Sequence, residues 1–329
     1  MRSRKVARHN ESFPRATSGR AILSLQLQPF DPPVRRAHAM GLMIVSSVGI
    51  SFGGLVIRSI ETADVWQINF YRSLALIVTV TLIMVLRHGR AAPARVHGIG
   101  RPGLLAGIML AAAGISFLQS ITSTTVANTL FMLSAIPFFT AALAWIFLKE
   151  GLHRSTILTM IAAACGVGVM VAGGIGAGSL YGNVMGLATA LCFSGYAIIV
   201  RRHREIEMLP ALIVSGGLIV CISVLLRWGN LAIPLREIAL CFLLGGVLSG
   251  LANALFIAAS KHLAAAELTL FMLLEFALGP VWVWLFVAET PTAATIAGGT
   301  VVILSVAIRA MIELARNHRR RKRGIQTPF

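Results

Sequence analysis

The stretch FMLSAIPFFTAALAWIFLKE, residues 131–150, is apolar enough to lie in a membrane, yet it carries Pro137 near its middle. A second stretch, FMLLEFALGPVWVWLFVAE at 271–289, has the same character and carries Pro280. Proline removes a backbone N–H and kinks a helix. In lipid this is tolerated only where protein or a watery cavity satisfies the freed carbonyl group. We interpret Pro137 and Pro280 as hinge positions, with a simple packing kink as the alternative.

The composition of the rest of the chain is also that of a membrane protein. Of 329 residues, 57% are hydrophobic and only 12% are charged, whereas soluble domains have about 25% charged residues. A bilayer core about 30 Å thick needs ~20 mostly apolar residues per helix, and ten segments meet this need. Their predicted limits are 39–58, 65–86, 103–121, 125–148, 155–174, 181–200, 209–226, 237–259, 264–287 and 294–314. The expected fold class is an all-α polytopic membrane protein with ten transmembrane helices.

The second half of the sequence repeats the first. A shift of 139 residues brings 104–150 onto 243–289 without a gap, and the pattern W-x-F-x-x-E ends both segments. We therefore predict two five-helix repeats, 39–174 and 181–314, joined by a glycine-rich linker. Because five is odd, the second repeat is inverted in the membrane. Inverted repeats with interrupted helices are typical of secondary transporters, whose substrate site lies between the repeats.

The positive charge follows membrane topology. If the N-terminus is cytoplasmic, all but four of the 29 lysines and arginines fall on the cytoplasmic side; the exceptions are Arg58, Arg72, Arg227 and Arg236. This distribution obeys the positive-inside rule and has no basis in nucleic-acid binding. We expect both termini in the cytoplasm, as a disordered basic N-terminal tail (1–38) and a basic C-terminal tail (315–329). The RRRKR run at 319–323 is expected to meet anionic lipid headgroups.

Three segments of the sequence resemble a known family. SAIPFFTAALAWIFLKE (134–150), ASKHLAAAELTLFMLLEF (259–276) and INFYRS (68–73) look like signatures of EamA-type permeases in the drug/metabolite transporter superfamily. The resemblance covers roughly 40–312. One departure is Glu275-Phe276, where the family usually has Glu-Pro. The resemblance implies a bacterial inner-membrane carrier, often an exporter of amino acids or other small metabolites.

Arg72 is the sharpest candidate site residue. It lies about 10 Å into the second predicted span, where a charge must face the bundle interior or a wet cavity. We expect it to bind an anion or to act as a gating charge beside Asn69. The alternatives are snorkelling to the outer headgroups and an ion pair with Glu61 or Asp64.

The ninth span carries two carboxylates on one face. Glu267, Phe271 and Glu275 follow at i, i+4 and i+8. Glu275 is expected to carry a proton or to contact a cationic group of the substrate. The structural alternatives are an ion pair with Arg72 and a hydrogen bond to a kinked backbone. Asn128 occupies the position of the fourth span that corresponds to Glu267, so the two are expected to guard opposite mouths.

Further polar and aromatic residues fall in the spans expected to line the centre. They are Ser51, Phe52, Ser194, Tyr196, Asn253 and Phe256. Their alternative role is hydrogen bonding between helices. Trp282 and Trp284 are expected to act as anchors at the membrane surface.

No motif for catalysis or cofactor binding survives inspection. The eight histidines lack metal-ligand spacing, and no phosphate-binding loop of the G-x-x-x-x-G-K-[ST] type is present. We expect no metal, no cofactor and no enzymatic activity. The predicted function is secondary transport of a small-molecule substrate by alternating access, driven by a proton, an ion or the substrate gradient. The alternatives are an intramembrane lipid-modifying enzyme and a non-transporting receptor or channel.

Overall fold

The computed structural model describes residues 33–91, 93, 96, 98–149, 154–175, 180–203, 206–255 and 265–322. In this part of the chain all regular secondary structure is helical, and no strand is present. The helices are α1 (Pro33–Ser51), α2 (Gly53–Arg58), α3 (Val65–His88), α4 (Gly100–Ser123), α5 (Val126–Leu133), α6 (Ile136–Leu148), α7 (Arg154–Ile175), α8 (Leu180–Arg202), α9 (Leu209–Arg227), α10 (Leu235–Phe242), α11 (Ala265–Val287) and α12 (Ala293–Lys322). A π-helix, Leu243–Leu251, continues α10.

Eight helical stretches of the described chain are long and apolar enough to cross a membrane. They are His38–Arg58, Val65–His88, Gly100–Ser123, Val126–Leu148, Leu180–Val200, Leu209–Arg227, Leu235–Leu255 and Ala293–Ile312. Two shorter apolar stretches, Ile157–Met170 and Leu274–Val287, lie within α7 and α11. Large apolar side chains such as Leu86 and Leu158 are 77% and 70% exposed on the outside, as expected of surfaces that face lipid. The protein is a multi-pass membrane protein.

Two of these spans contain an interruption of the regular helix. The first is divided at Phe52, between α1 and α2, and the fourth is divided at Ser134 and Ala135, between α5 and α6. Pro137 lies in the first turn of α6, where its missing N–H costs no hydrogen bond and its fixed φ favours a helix start. Pro280 is different, because α11 continues through it.

Glycines let the π-helix lie directly on α3. A Cβ atom at Gly245 would be within van der Waals overlap of the Arg72 carbonyl oxygen, and Cβ atoms at Gly246 and Gly250 would crowd Thr79. Short residues at a helix interface allow such close approach in membranes. The backbone of α3 around Arg72 is therefore fixed from one side by this helix.

The start of α3 is fixed by a capping box. Asp64 Oδ1 accepts hydrogen bonds from the backbone N–H groups of Trp66 and Gln67 at 2.7 and 3.0 Å, and Gln67 Oε1 accepts one from Asp64 N at 3.0 Å. Three backbone N–H groups without a partner inside the helix are thereby satisfied. Helix α3 then packs along α9 and the π-helix, while α4 packs on α8, α7 on α12, and α11 on α1.

The described helices extend beyond the predicted spans at both ends of the chain. Helix α1 begins at Pro33, inside the segment predicted as a tail, and α12 continues to Lys322. Basic residues on these extensions continue each helix past its apolar stretch.

Candidate functional site

Arg72 lies within the helix bundle, and neutral groups hold its guanidinium. Its Nη2 donates to Asn69 Oδ1 at 3.3 Å and to the Gly114 carbonyl oxygen of α4 at 3.4 Å. Its Nε atom is buried without a hydrogen-bond partner. Among the described residues, no carboxylate forms an ion pair with it. A buried charge with two long bonds to neutral oxygens is poorly compensated, so this guanidinium retains capacity to bind an anion.

Two unused polar groups flank the guanidinium on the same helix. Asn69 is fully buried and its Nδ2 has no partner; Ser73 is buried and its Oγ has none either. Residues three and four apart are neighbours on a helix surface, so Asn69, Arg72 and Ser73 form one group. With its unused N–H donors and its hydroxyl, the group has the chemistry that recognises a carboxylate.

The ion pairs considered as alternatives for Arg72 are not formed. Asp64 pairs instead with Arg227 at 2.8 Å, and Glu61 pairs with Arg236 at 3.7 Å. The contact of Arg72 with Gly114, inside α4, also turns its side chain inward and away from the headgroups. Sequence reasoning could not foresee this, because Arg227 and Arg236 approach Asp64 and Glu61 from a distant part of the chain.

Glu275 lies on the side of α11 that packs against α1. One turn before it, Phe271 packs against Ala39 and Met43 of α1. One turn after it, a Cβ atom at Gly279 would overlap the side chain of Leu130 in α5 and would lie 3.6 Å from the Ser51 carbonyl oxygen of α1. The three positions share one helix face. No described cation pairs with Glu275, so the alternative of an ion pair with Arg72 is not formed.

The break between α1 and α2 is held by α11. Trp282 Nε1 donates to Ser51 Oγ at 2.9 Å, and the Trp282 ring stacks on Phe52 with centroids 4.7 Å apart. Ser51 and Phe52 thus both contact Trp282 at this break. Trp282 is not a surface anchor, because its polar N–H is used inside the bundle; Trp284, 54% exposed, faces outward.

Asn128 is the centre of a buried polar cluster that joins four helices. Its Nδ2 donates to Thr124 Oγ1 at 3.1 Å and to Asn183 Oδ1 of α8, and its Oδ1 accepts from Thr295 of α12 at 3.5 Å. Nearby, Ser120 and Thr129 share a hydrogen bond of 2.9 Å. This cluster lies where α4 ends and α5 begins.

The remaining predicted positions are distributed around the bundle. Ser194 Oγ donates to the carbonyl oxygens of Ile136 at 3.1 Å and Ala190 at 2.7 Å, which places it at the break before α6. Asn253 Nδ2 donates to Ser249 O within its own helix at 2.6 Å. Tyr196 packs with an apolar group around Met208. Phe256 and the side chain of Glu267 lie outside what the structure describes.

Sequence reasoning missed two charged groups at one end of the helix bundle. We call this end, which contains Arg58, the loop at 61–63, Glu237 and Glu289, one mouth of the bundle. Glu289 Oε2 accepts from Arg58 Nε at 2.7 Å and its Oε1 accepts from Val126 N at 2.6 Å. Glu237, which is 3% exposed, accepts four hydrogen bonds of 2.8–3.1 Å from the loop at 61–63. The repeated W-x-F-x-x-E motif was the available signal for Glu289. Glu237 gave none: it is only the first residue of the predicted span 237–259, and its backbone partners lie 174 to 176 residues away in the sequence.

Groups of acidic residues, histidines or cysteines that would suit a metal are absent from the described residues. What the bundle offers instead is a buried arginine, a carboxylate without an ion partner and buried amides inside a set of membrane-crossing helices. Ionisable residues at such depth mark transport pathways in membrane proteins.

Comparison with known proteins also indicates a membrane transporter. Residues 38–172 match the EamA-like transporter family. The chain is 26% identical over 273 residues to the pseudopaline exporter CntI of Pseudomonas aeruginosa, in strains UCBPP-PA14 and PAO1, covering 80% of this chain and 93% of that protein. A solved crystal structure, 16% identical, superposes with a TM-score of 0.56 over 84% of this chain and 98% of its own and so shares the fold. The protein is a membrane transporter. Its resemblance to EamA-type permeases is confirmed.

Proposed function

We propose that the protein is a secondary transporter that exports small metabolites bearing a carboxylate, such as amino acids or related compounds, by alternating access. The observation that carries the proposal is the Arg72 guanidinium, buried without a carboxylate partner beside unused polar groups of Asn69 and Ser73. A substrate carboxylate supplies the missing negative charge and accepts bidentate hydrogen bonds. The relative named as a pseudopaline exporter supports the direction of transport.

The helix bounds support ten spans in two inverted repeats, 39–174 and 181–314. Helices α7 and α11 have 22 and 23 residues, enough to cross a bilayer. Two pairs of helix ends recur at the 139-residue spacing of the sequence repeat. The pairs are Leu148 with Val287 and His88 with Arg227.

Backbone geometry at two of these ends supports the same repeat. Lys149 and Ala288 follow the pair Leu148 and Val287, and both adopt a left-handed conformation, with φ of 55° and 56°. Non-glycine residues seldom adopt such angles. Two equivalent left-handed helix ends are therefore a specific likeness between the halves.

We place the termini and the basic loops in the cytoplasm of a bacterial inner membrane, with anionic headgroups at the basic ends of α1 and α12. The mouth that contains Glu289 and Glu237 then faces outward. This assignment rests on the positive-inside rule, by which cytoplasmic loops carry an excess of lysine and arginine. At this mouth the arginines of the described loops are paired with carboxylates.

Other residues receive supporting roles. Glu275 is the proposed proton carrier, since it lies on α11 against α1 and has no described ion partner. Asn128 and Glu267 are the proposed polar groups of the two mouths. Ser51, Phe52, Ser194, Tyr196, Asn253, Phe256 and Phe271 are proposed to line or support the pathway, with Pro137 and Pro280 as hinge positions.

Ligand stabilisation of the purified protein tests the carboxylate requirement. Wild type is melted with pooled amino acids and related metabolites, and then with the amidated form of each active compound. A ligand at 100 times its Kd stabilises by about 2.7 kcal/mol. We expect a rise in melting temperature with the acid, none with the amide, and none with either in Arg72→Gln. An equal rise with the amide contradicts the role of Arg72.

A further inference from the structure

Two short helical segments lie beyond the breaks in the first and fourth spans. Helix α2 has six residues and follows the break at Phe52, and α5 has eight and precedes the break at Ser134 and Ala135. Each is separated from its longer partner, α1 or α6, by residues that interrupt the helix. Interruptions of this kind absorb the changes in backbone angle that hinge motion requires.

A single carboxylate from the other half of the chain holds the free ends of both segments. Glu289, just after α11, accepts from Arg58 Nε at the end of α2 and from Val126 N at the start of α5. Arg58 Nη2 also donates to the Thr124 carbonyl oxygen at 2.6 Å. The charges suit the helix ends, since a carboxylate is favourable at a helix start and a cation at a helix end.

The ion pair between Arg58 and Glu289 is expected to stabilise this end of the bundle more than the ion pair between Arg236 and Glu61 at the same end. The Arg58 and Glu289 side chains are 23% and 18% exposed, whereas those of Arg236 and Glu61 are 68% and 72% exposed. Exposed pairs contribute little. A partly buried pair reinforced by a backbone N–H is stronger.

The breaks themselves are anchored by other residues of the second half. Trp282 of α11 holds the first break through Ser51 and Phe52, and Ser194 of α8 holds the second through the carbonyl oxygen of Ile136. Thus each short segment is held by Trp282 or Ser194 at the interruption and by Glu289 at its other end.

The neighbouring pair α3 and α9 is built differently. It is tied at one end by Asp64 and Arg227 and at the other by His88 and Glu207, 3.4 Å apart. Helices joined at both ends form a fixed frame. Relative to this frame, α2 and α5 each adjoin an interruption of their span. Their charged contact to the second half of the chain is through Glu289, while α5 also takes part in the neutral hydrogen bonds of the Asn128 cluster.

We infer that α2 and α5 form a two-segment gate at this mouth, closed in this structure, and that Glu289 is its latch. When Glu289 releases Arg58 and Val126, the segments swing at Phe52 and at Ser134 and Ala135 while α1 and α6 keep their packing. The inference rests on the proposed transport function.

Thiol labelling tests the gate without any substrate. Ser120 is fully buried, with its Oγ bonded to Thr129 of α5 and close to Gly186 of α8, so a cysteine there gains access to solvent when α5 moves away. Ser120→Cys protein in lipid nanodiscs is treated with a membrane-impermeant maleimide, and mass spectrometry follows the peptide that contains residue 120. We expect Glu289→Gln to raise the labelling rate about tenfold, the effect of losing one charge-assisted interaction on an opening equilibrium.

Matched variants separate the latch from general loosening. Glu61→Gln removes a carboxylate from the same mouth and is expected to leave the rate unchanged. Arg58→Gln breaks the same ion pair from the other partner and is expected to raise the rate as Glu289→Gln does, so it serves if that variant does not purify.

An unchanged rate in the Glu289 or Arg58 variant overturns the latch, as does an equal rise in Glu61→Gln. Because no transport is measured, these outcomes are independent of whether the protein carries a carboxylate.

Discussion

The indole ring of Trp282 lies nearly parallel to the ring of Phe52, with an interplanar angle of 12° and centroids 4.7 Å apart. The same indole donates its N–H to Ser51. One residue of α11 thereby fixes the break in the first span by two separable interactions. The interruption at Phe52 is thus an ordered feature with defined contacts rather than a frayed helix end.

Trp282 variants resolve those two interactions. Trp282→Phe keeps an aromatic ring but loses the hydrogen bond, and we expect a loss of about 1 kcal/mol in free energy of unfolding. Trp282→Ala also loses the stacking, worth a further ~0.5–1.5 kcal/mol beyond the buried area. Thermal melting of the purified variants in detergent measures both. Trp284→Ala, at an outward-facing position, is the control, and equal losses in all three contradict the assignment.

Gly245 makes the close approach of the π-helix to α3 possible. In Gly245→Ala the new methyl group meets the backbone of Arg72 rather than a flexible side chain, so neither helix can yield locally. We expect destabilisation by about 1–3 kcal/mol or loss of folded protein, measured by melting and by size-exclusion chromatography. Gly49→Ala is the matched control, since nothing lies within 4 Å of a Cβ there, and it is expected to melt at or above wild type. A Gly245→Ala protein that melts like wild type rules out the close packing.

Glu237 fastens α10 to the loop before α3 with four hydrogen bonds. In Glu237→Gln one oxygen is replaced by an amide that donates, so N–H groups of the loop lose their acceptor. The cost expected for buried donors left unsatisfied is about 1–3 kcal/mol, seen as a lower melting temperature. Glu61→Gln, from an exposed pair, should melt like wild type; indistinguishable melting of the two variants refutes the role of Glu237.

Glu275 is expected to carry the proton if transport is proton-coupled. Glu275→Gln keeps the shape of the side chain but cannot ionise, so we expect the pH dependence of liposome transport to flatten while pH-independent exchange persists. The measurement is initial uptake rate across pH in wild type, Glu275→Gln and Glu61→Gln. A pH profile in Glu275→Gln that matches wild type removes Glu275 from the coupling role.

Local pattern was sufficient to predict the helical membrane character of the chain. Long apolar runs fixed most spans within a few residues, as for the predicted 65–86 and the observed Val65–His88. Pro137 marked an interruption, but the break falls just before it, because proline is compatible with the first turn of a helix. The sequence did not reveal that α11 continues through Pro280, since neighbouring helices decide whether a freed carbonyl is tolerated.

The sequence predicted individual residues of the candidate site but not their partners, because the partners lie far away in the sequence. Arg72 stood out because any charge inside a span is costly, and Asn69 lies one turn away on the same helix. Its lack of a carboxylate partner could not be predicted, because Asp64 and Glu61 are engaged by Arg227 and Arg236. Glu289 was recognised only as part of a repeated motif. Its partners, Arg58 and Val126, lie more than 160 residues away in the sequence.

Counterflow in liposomes tests most directly whether this chain carries carboxylate-bearing metabolites through Arg72. Liposomes preloaded with an unlabelled compound that stabilises the protein are diluted into a trace of the same compound labelled. We predict transient accumulation of label with wild type, reduced accumulation with Arg72→Lys, which keeps the charge but not the bidentate geometry, and none with Arg72→Gln. Accumulation by Arg72→Gln at the wild-type level, or none by wild type with any stabilising compound, contradicts it.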